Sequence, residues 1–204
     1  MMMTAGSLGE QREMFAHAAR LAHLPAALDA AIVAMIEISG MIDLVVDIRA
    51  DPALPDAVRD ALDANRPVLC DCEMVRAGID AGLAGRSPVI SRLNDAEVPE
   101  LARRIGNTRS AAGVDLWGDD LEGAIVVVGN APTALFRLYE LLEAGAPRPA
   151  AIIGIPVGFV GAAESKALLA EGLAQVPFLT LLGRRGGSAM ASAAFNALAR
   201  QMRA

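Results

Sequence analysis

From about Val68 to the end of the chain, short and almost wholly apolar runs alternate with longer stretches in which apolar residues recur at helical spacing. That alternation predicts parallel strands joined by helical crossovers. The apolar runs predict strands at 67–71, 88–93, 124–129, 150–156 and 177–182. Strings such as AIVVVG and AAIIGIP lack a polar face, as expected of strands covered on both sides. The stretches between them predict helices at 96–105, 110–117, 132–144, 162–171 and 188–200. Pro132 after a candidate Asn130 cap and Gly145 beyond the last turn mark a helix start and stop. The first third carries helical patterns at 9–22, 25–38 and 55–64 and no strand of comparable strength. The expectation is one α/β domain over 1–204: a mostly parallel, five-stranded, Rossmann-like sheet with helices on both faces and an N-terminal helical segment over 1–64.

Composition narrows the setting. The chain has 204 residues, 54% of them apolar, and a mean hydropathy of +0.41. A spanning helix needs roughly 18 or more apolar residues in a row, and none is present: Asp29, Glu37 and Asp43 interrupt 26–46, and 150–163 is short and holds Pro156. The apolar content therefore reads as a buried Ala/Val/Leu core, not a membrane span. The start of the chain lacks the basic and apolar regions of a secretory signal, and Glu10 and Glu13 argue against a transit peptide. A cytoplasmic location is the expectation. Cys70 and Cys72 stand one residue apart, without the spacing of a redox or zinc motif, and read as a reduced, buried pair. The net charge of −6 and the lack of a Lys/Arg stripe argue against nucleic acid as a partner. An anionic ligand must meet locally clustered cations.

The densest polar and glycine-rich strings fall where the predicted strands run into loops, the usual ligand position in open α/β sheets. The loops are 71–73, 129–133, 158–166 and 183–188, with 106–110 opening another helix. Glycines, capping hydroxyls and arginines at 106–110 and 183–188 could converge on a carboxylate or phosphate. Each loop alone is equally consistent with tight turns and helix caps, and neither a GxGxxG nor a GxxxxGK[ST] string is present. Lys166 is the only lysine and follows a glycine-rich loop, where it either meets the ligand or lies on a solvated helix face. His17 and His23 have no metal-ligand or nucleophile-base spacing, so no metal site is expected. Glu37 interrupts an apolar helical stretch. Buried without a cation it would be a proton donor near neutrality; on the helix's polar stripe it would face solvent.

Taken together and in order, the strings PVLCD (67–71), GNTRSAA (106–112), GNAPTALF (129–136), GIPVGFVGAAESK (154–166) and GRRGGSAM (183–190) resemble those of the precorrin-8X methylmutase (precorrin isomerase) family. The resemblance runs from Met35 to the C-terminus. It implies an α/β fold, a homodimer and a place in cobalamin biosynthesis. Family enzymes move a methyl group from carbon 11 to carbon 12 of the corrin precursor, giving hydrogenobyrinate or its cobalt-bearing equivalent, without a cofactor. A histidine is thought to protonate or hydrogen-bond a ring nitrogen while the protein positions the macrocycle.

The family's histidine lies in a string of the type Met-Ile-His-Ala-Cys-Gly, and here 35–40 read MIEISG, with Glu37 at the histidine position and Ala34 where the family has arginine. The family's N-terminal Ser-Phe segment has no clear counterpart in 11–18. Two readings follow. In the first the protein is a methylmutase, with protonated Glu37 in place of the imidazolium or with His17 or His23 brought into the pocket. In the second it is a catalytically altered paralogue that binds a tetrapyrrole or corrinoid. For an active pocket the resemblance assigns Glu37 the catalytic position and Arg109 and Lys166 the substrate carboxylates. Asn107, Thr108, Asn130, Thr133, Ser188 and the Gly186–Gly187 backbone are assigned as neutral donors around the rim. Asp71 and Glu73 are expected to orient basic neighbours, not to touch an acidic substrate.

Overall fold

A computed structural model describes Glu13, Met14, His17, residues 24–172 and residues 174–202. Of the expected 9–22 helix only Glu13, Met14 and His17 are described, all helical and exposed; the rest, and His23, lie outside the described residues.

The sheet has six strands, one more than the apolar runs predict. They are β1 (Ile48–Ala50), β2 (Val68–Cys70), β3 (Val89–Ser91), β4 (Ile125–Val128), β5 (Ala151–Gly154) and β6 (Phe178–Leu181), in the order β1-β6-β5-β4-β2-β3. All pairs are parallel except the β1–β6 edge, where Ile48 faces Leu181 and Ala50 faces Leu179. The expected helical segment over 1–64 thus contains a strand. It went unread because only Ile48 of its three residues is buried, and the stronger apolar run before it winds into a 3-10 helix, Ile42–Asp47.

Side chains alternate across the sheet with the two-residue period of a strand. Val68, Cys70, Ile125, Val127, Ala151, Ile153, Leu179 and Leu181 face one layer; Leu69, Val126, Val128 and Ile152 face the other. Both faces are covered, which is why β2, β4 and β5 are continuously apolar and the one polar residue of β6, Thr180, is buried with its hydroxyl donating to the Gly154 carbonyl. The first layer contains α1 (Asp29–Ser39), α2 (Leu54–Asp63), α3 (Glu73–Gly78), α4 (Ala81–Ala84) and α9 (Ser188–Gln201). The second contains α7 (Pro132–Glu143) and α8 (Ala162–Ala170), with α5 (Val98–Ile105) and α6 (Arg109–Asp115) packed beside them. Pro132 starts its helix as expected, but the residue before it is Ala131 and no side chain caps the turn, so Asn130 is not the cap.

After β2 the chain turns into the first layer and leads to β3; after β4 it turns into the second layer and leads to β5 on the other side. The winding therefore reverses between neighbouring β2 and β4. A crevice at such a reversal is the position that open α/β sheets offer a ligand.

The helices of the first layer share one apolar seam. α1 buries Ala31, Ile32, Met35 and Ile36, and α9 turns Ala191, Ala194, Phe195 and Leu198 inward. Among the described residues, Phe195 is the bulkiest apolar side chain that is wholly buried. Phe195→Ala would leave a cavity between α9 and the sheet, with an expected loss of about 3–5 kcal/mol of unfolding free energy, measured by urea denaturation.

Candidate functional site

The loops beyond the carboxyl ends of β2, β4, β5 and β6 lie along one end of the sheet, and a buried carboxylate joins the first two. Asp71, 3% exposed, accepts backbone N–H bonds from Gly129 at Oδ1 (3.0 Å) and from Asn130 and Ala131 at Oδ2 (2.9 and 2.8 Å). It spans the β2/β4 reversal, and its partners are backbone groups, not the basic side chains expected. Burial pushes its carboxyl above the usual range, and the three N–H bonds oppose that rise. Glu73 does orient a basic neighbour, with Oε2 2.6 Å from Arg76 Nε. Gly129 lies so close to α9 that a Cβ there would sit 2.7 Å from Ser188 Cα. Only glycine allows the two loops this approach.

The expected rim donors fall into two neighbouring groups. In the first, Thr108 caps α6 by accepting from the Ala111 N–H at 3.2 Å, and its Oγ1 lies 2.7 Å from Thr133 Oγ1. Asn107 Oδ1 accepts from the Thr108 N–H at 2.8 Å, and exposed Asn130 completes the group. Arg109 begins α6 and donates through Nη2 to the Leu93 carbonyl (3.1 Å) and Asn94 Oδ1 (3.2 Å), so it ties α6 to the turn after β3. In the second group, Gly187 N–H donates to the Ile155 carbonyl (2.9 Å) and Gly158 N–H to the Arg184 carbonyl (3.2 Å), zipping the loops after β5 and β6 together. A Cβ at Gly186 would collide with the carbonyls of Ile155 and Pro156. Ser188 is buried, 3.6 Å from Cys72 Sγ. Cys70 and Cys72 are both free and buried, as expected; burial, then the neighbouring Asp71 charge, pushes both thiols up.

Lys166 is held by the protein's own backbone. It is not on a solvated face: in the single chain it is buried, and its ammonium donates to the Arg185 carbonyl. Burial, and then the Arg185 charge, lowers its pKa from 10.5 to about 8, with Asp47 opposing. The sequence could not reveal this, because the acceptor is a backbone oxygen of the neighbouring loop. Arg185 is held at its other end too, with Nη1 2.7 Å from Asp43 Oδ2 and Nη2 2.7 Å from Asp47 Oδ2. The pair of aspartates comes from the turn after α1, so the loop after β6 is fastened to both layers.

Between these loops and the end of α1 runs a groove of about 390 Å³ lined by Met41, Val157, Phe159, Met190, Arg184, Arg185 and Gly186, at the lower end of the size range of ligand pockets. Glu37 is not in it. The side chain is exposed on α1 and lines a neighbouring depression with Ala34, Ile38, Ala193, Asn196 and Arg200, so the solvent-facing alternative holds for the single chain. His17 is exposed and does not line the groove. Among the described residues no three His, Cys, Asp or Glu side chains gather as a metal cluster, and no helix is long and apolar enough to cross a membrane.

These features define a doubly wound α/β protein with an apolar, arginine-rimmed groove beyond the carboxyl ends of its strands. The chain belongs to the precorrin-8X methylmutase family, whose model matches residues 9–201. Precorrin-8X methylmutase of Pseudomonas aeruginosa is 53% identical over 182 residues, covering 89% of this chain and 88% of that protein. Precorrin-8X methylmutase of a Sinorhizobium species is 52% identical over 169 residues, covering 82% and 80%. A solved structure of the Thermus thermophilus precorrin-8x methyl mutase superposes with a TM-score of 0.77 at 33% identity, covering 88% of each chain.

Two outcomes follow from the buried groups. Asp71→Asn presents an amide NH2 to N–H donors and is expected to cost on the order of 2 kcal/mol, read from the denaturation midpoint. For Lys166 the folded-state pKa of about 8 lies below the ordinary 10.5, so between those values the unfolded chain binds more protons and stability rises with pH. Relative to Lys166→Met, the native protein should gain on the order of 2 kcal/mol between about pH 8 and about pH 10.5. A difference that stays flat across that window would mean the ammonium is not penalised.

Proposed function

We propose that this chain is a precorrin-8X methylmutase of cobalamin biosynthesis, moving the methyl group on carbon 11 of precorrin-8X to carbon 12 and giving hydrogenobyrinate. The observation that carries this reading is the 53% identity over nearly the whole of both chains to an enzyme of that name. The Pseudomonas and Sinorhizobium relatives, both above 50% identity, are named for the cobalt-free substrate, which favours it here. In the reaction one carbon–carbon bond breaks, another forms, and nothing is gained or lost. The protein's contribution is to hold the macrocycle and stabilise the shift of charge as the methyl migrates. No cofactor is part of this reading.

Arg109 is assigned to a substrate carboxylate, with Asn107, Thr108, Asn130 and Thr133 as neutral donors beside it and the Gly186–Gly187 backbone and Ser188 across the rim. Lys166 is assigned to the protein instead, where it fixes the Arg185 carbonyl and with it the course of the 183–187 loop. Glu37 keeps the catalytic position. A carboxylic acid can donate to a ring nitrogen only while it holds its proton, which requires enclosure. The exposed side chain of Ile38 (55%) follows it in the chain and lines a depression with exposed Met74 (72%), an apolar face that supports a homodimer whose second copy covers it and encloses Glu37. Unpaired Cys70 and Cys72 suit a cytoplasmic enzyme. The chain acts as a single domain in this reading.

Single-turnover conversion of precorrin-8X, followed by its absorbance change, tests the assignment. Native protein is expected to convert the substrate and Glu37→Gln to lose at least about 100-fold in rate, the usual contribution of general acid catalysis. Binding without conversion by the native protein, restored by Glu37→His, would instead make it a tetrapyrrole-binding paralogue.

A further inference from the structure

The groove holds two adjacent arginines with opposite surroundings. Arg185 is neutralised by Asp43 and Asp47. Arg184 has no carboxylate partner among the described residues and stands with Cζ 5.8 Å from the centre of the Phe159 ring. That ring is 85% exposed, and Val160 beside it 89%. An aromatic ring this open, at the rim of an apolar groove and under an uncompensated guanidinium, is an unusual use of both residues. The same hydrogen-bonded loops that place Phe159 also place Arg184, since the Gly158 N–H donates to the Arg184 carbonyl. Their relative position is therefore built into the fold.

A groove of about 390 Å³ takes one edge of a tetrapyrrole macrocycle, not the whole of it. The remainder must project past the rim. The chemistry at that rim, a flat apolar face next to a free cation, complements a flat conjugated ring that carries carboxylates at its periphery.

We propose, resting on the methylmutase reading, that Phe159 and Arg184 form a two-part grip on the projecting macrocycle, the ring lying against its face and the guanidinium taking one peripheral carboxylate. Phe159 and Arg184 are binding residues remote from the groove floor, so they hold substrate and transition state alike. Arg184 can serve both contacts at once, because a guanidinium stacks on an aromatic face through its plane and donates to a carboxylate through its edge.

The test measures hydrogenobyrinate binding by absorbance titration and precorrin-8X turnover for native protein, Phe159→Ala, Arg184→Gln and Arg184→Lys. Each of Phe159→Ala and Arg184→Gln is expected to weaken hydrogenobyrinate binding about tenfold and to lower kcat/KM similarly, with most of the loss in KM. Native affinity should fall more steeply with salt than that of Arg184→Gln, and Arg184→Lys should keep the salt dependence while losing part of the affinity. Native turnover with unchanged binding in Phe159→Ala and Arg184→Gln would overturn the grip and leave the methylmutase assignment standing. So would a fall in sedimentation mass for Phe159→Ala, which would make this loop a contact between copies. If the native protein neither bound nor converted the tetrapyrroles, the assignment itself would fail and the grip with it.

Discussion

The carboxylate of Asp71 stands where the sheet reverses its winding, and the placement of the surrounding loops depends on it. Two oxygens take three successive backbone N–H groups of the chain leaving β4, groups that would otherwise be unpaired at the start of α7. In a nucleotide-binding relative of this architecture such donors would face a phosphate. Here an internal anion takes that place, and the crevice is closed by the protein itself. The apolar groove is accordingly displaced along the end of the sheet, toward the loops after β5 and β6, where backbone bonds between the two loops and glycine at 186 hold its wall.

That displacement explains why two ion-handling devices lie at the far end of the sheet. Lys166 and Arg185 act on one loop from opposite sides: an ammonium on a backbone carbonyl, and a guanidinium on two aspartates. Burying the only lysine of the chain is unfavourable unless its proton and its donor capacity are used. The carbonyl uses the donor capacity, and the lowered pKa shows that the charge itself remains poorly accommodated. The result is a rigid support beneath the groove, with its charge turned inward and only Arg184 left facing out.

The fold was largely legible in the sequence for a physical reason. Strands buried on both faces must be continuously apolar, so Val126, Ile152 and their neighbours announce themselves, and glycines and prolines punctuate the helices between them. The edge strand Ile48–Ala50 carries no such mark, because one side of it is solvent and its partner is 130 residues further along. The site was legible in its loops and not in its contacts. The ordered strings contain the loops after β5 and β6 that line the groove, but not Met41 on its other side, and the partners of their charged side chains are backbone oxygens of other loops or aspartates more than 130 residues away. Spacing along the chain cannot distinguish Arg184 from Arg185, or a ligand-facing lysine from a buried one.

Glu37 poses the sharpest chemical constraint. A histidine can hold a proton and a positive charge near neutrality; a glutamate at the same place is either neutral and a donor, or ionised and repelled by an acidic macrocycle. Glu37 lies exposed on α1 in the single chain, so donation from a carboxylic acid at this place requires that something exclude water from it. The candidates are the substrate itself and the apolar face formed by Ile38 and Met74 pressed against a second copy. Either would couple proton retention to assembly of the complete site, so that the carboxylic acid becomes a donor only where there is a ring nitrogen to receive the bond.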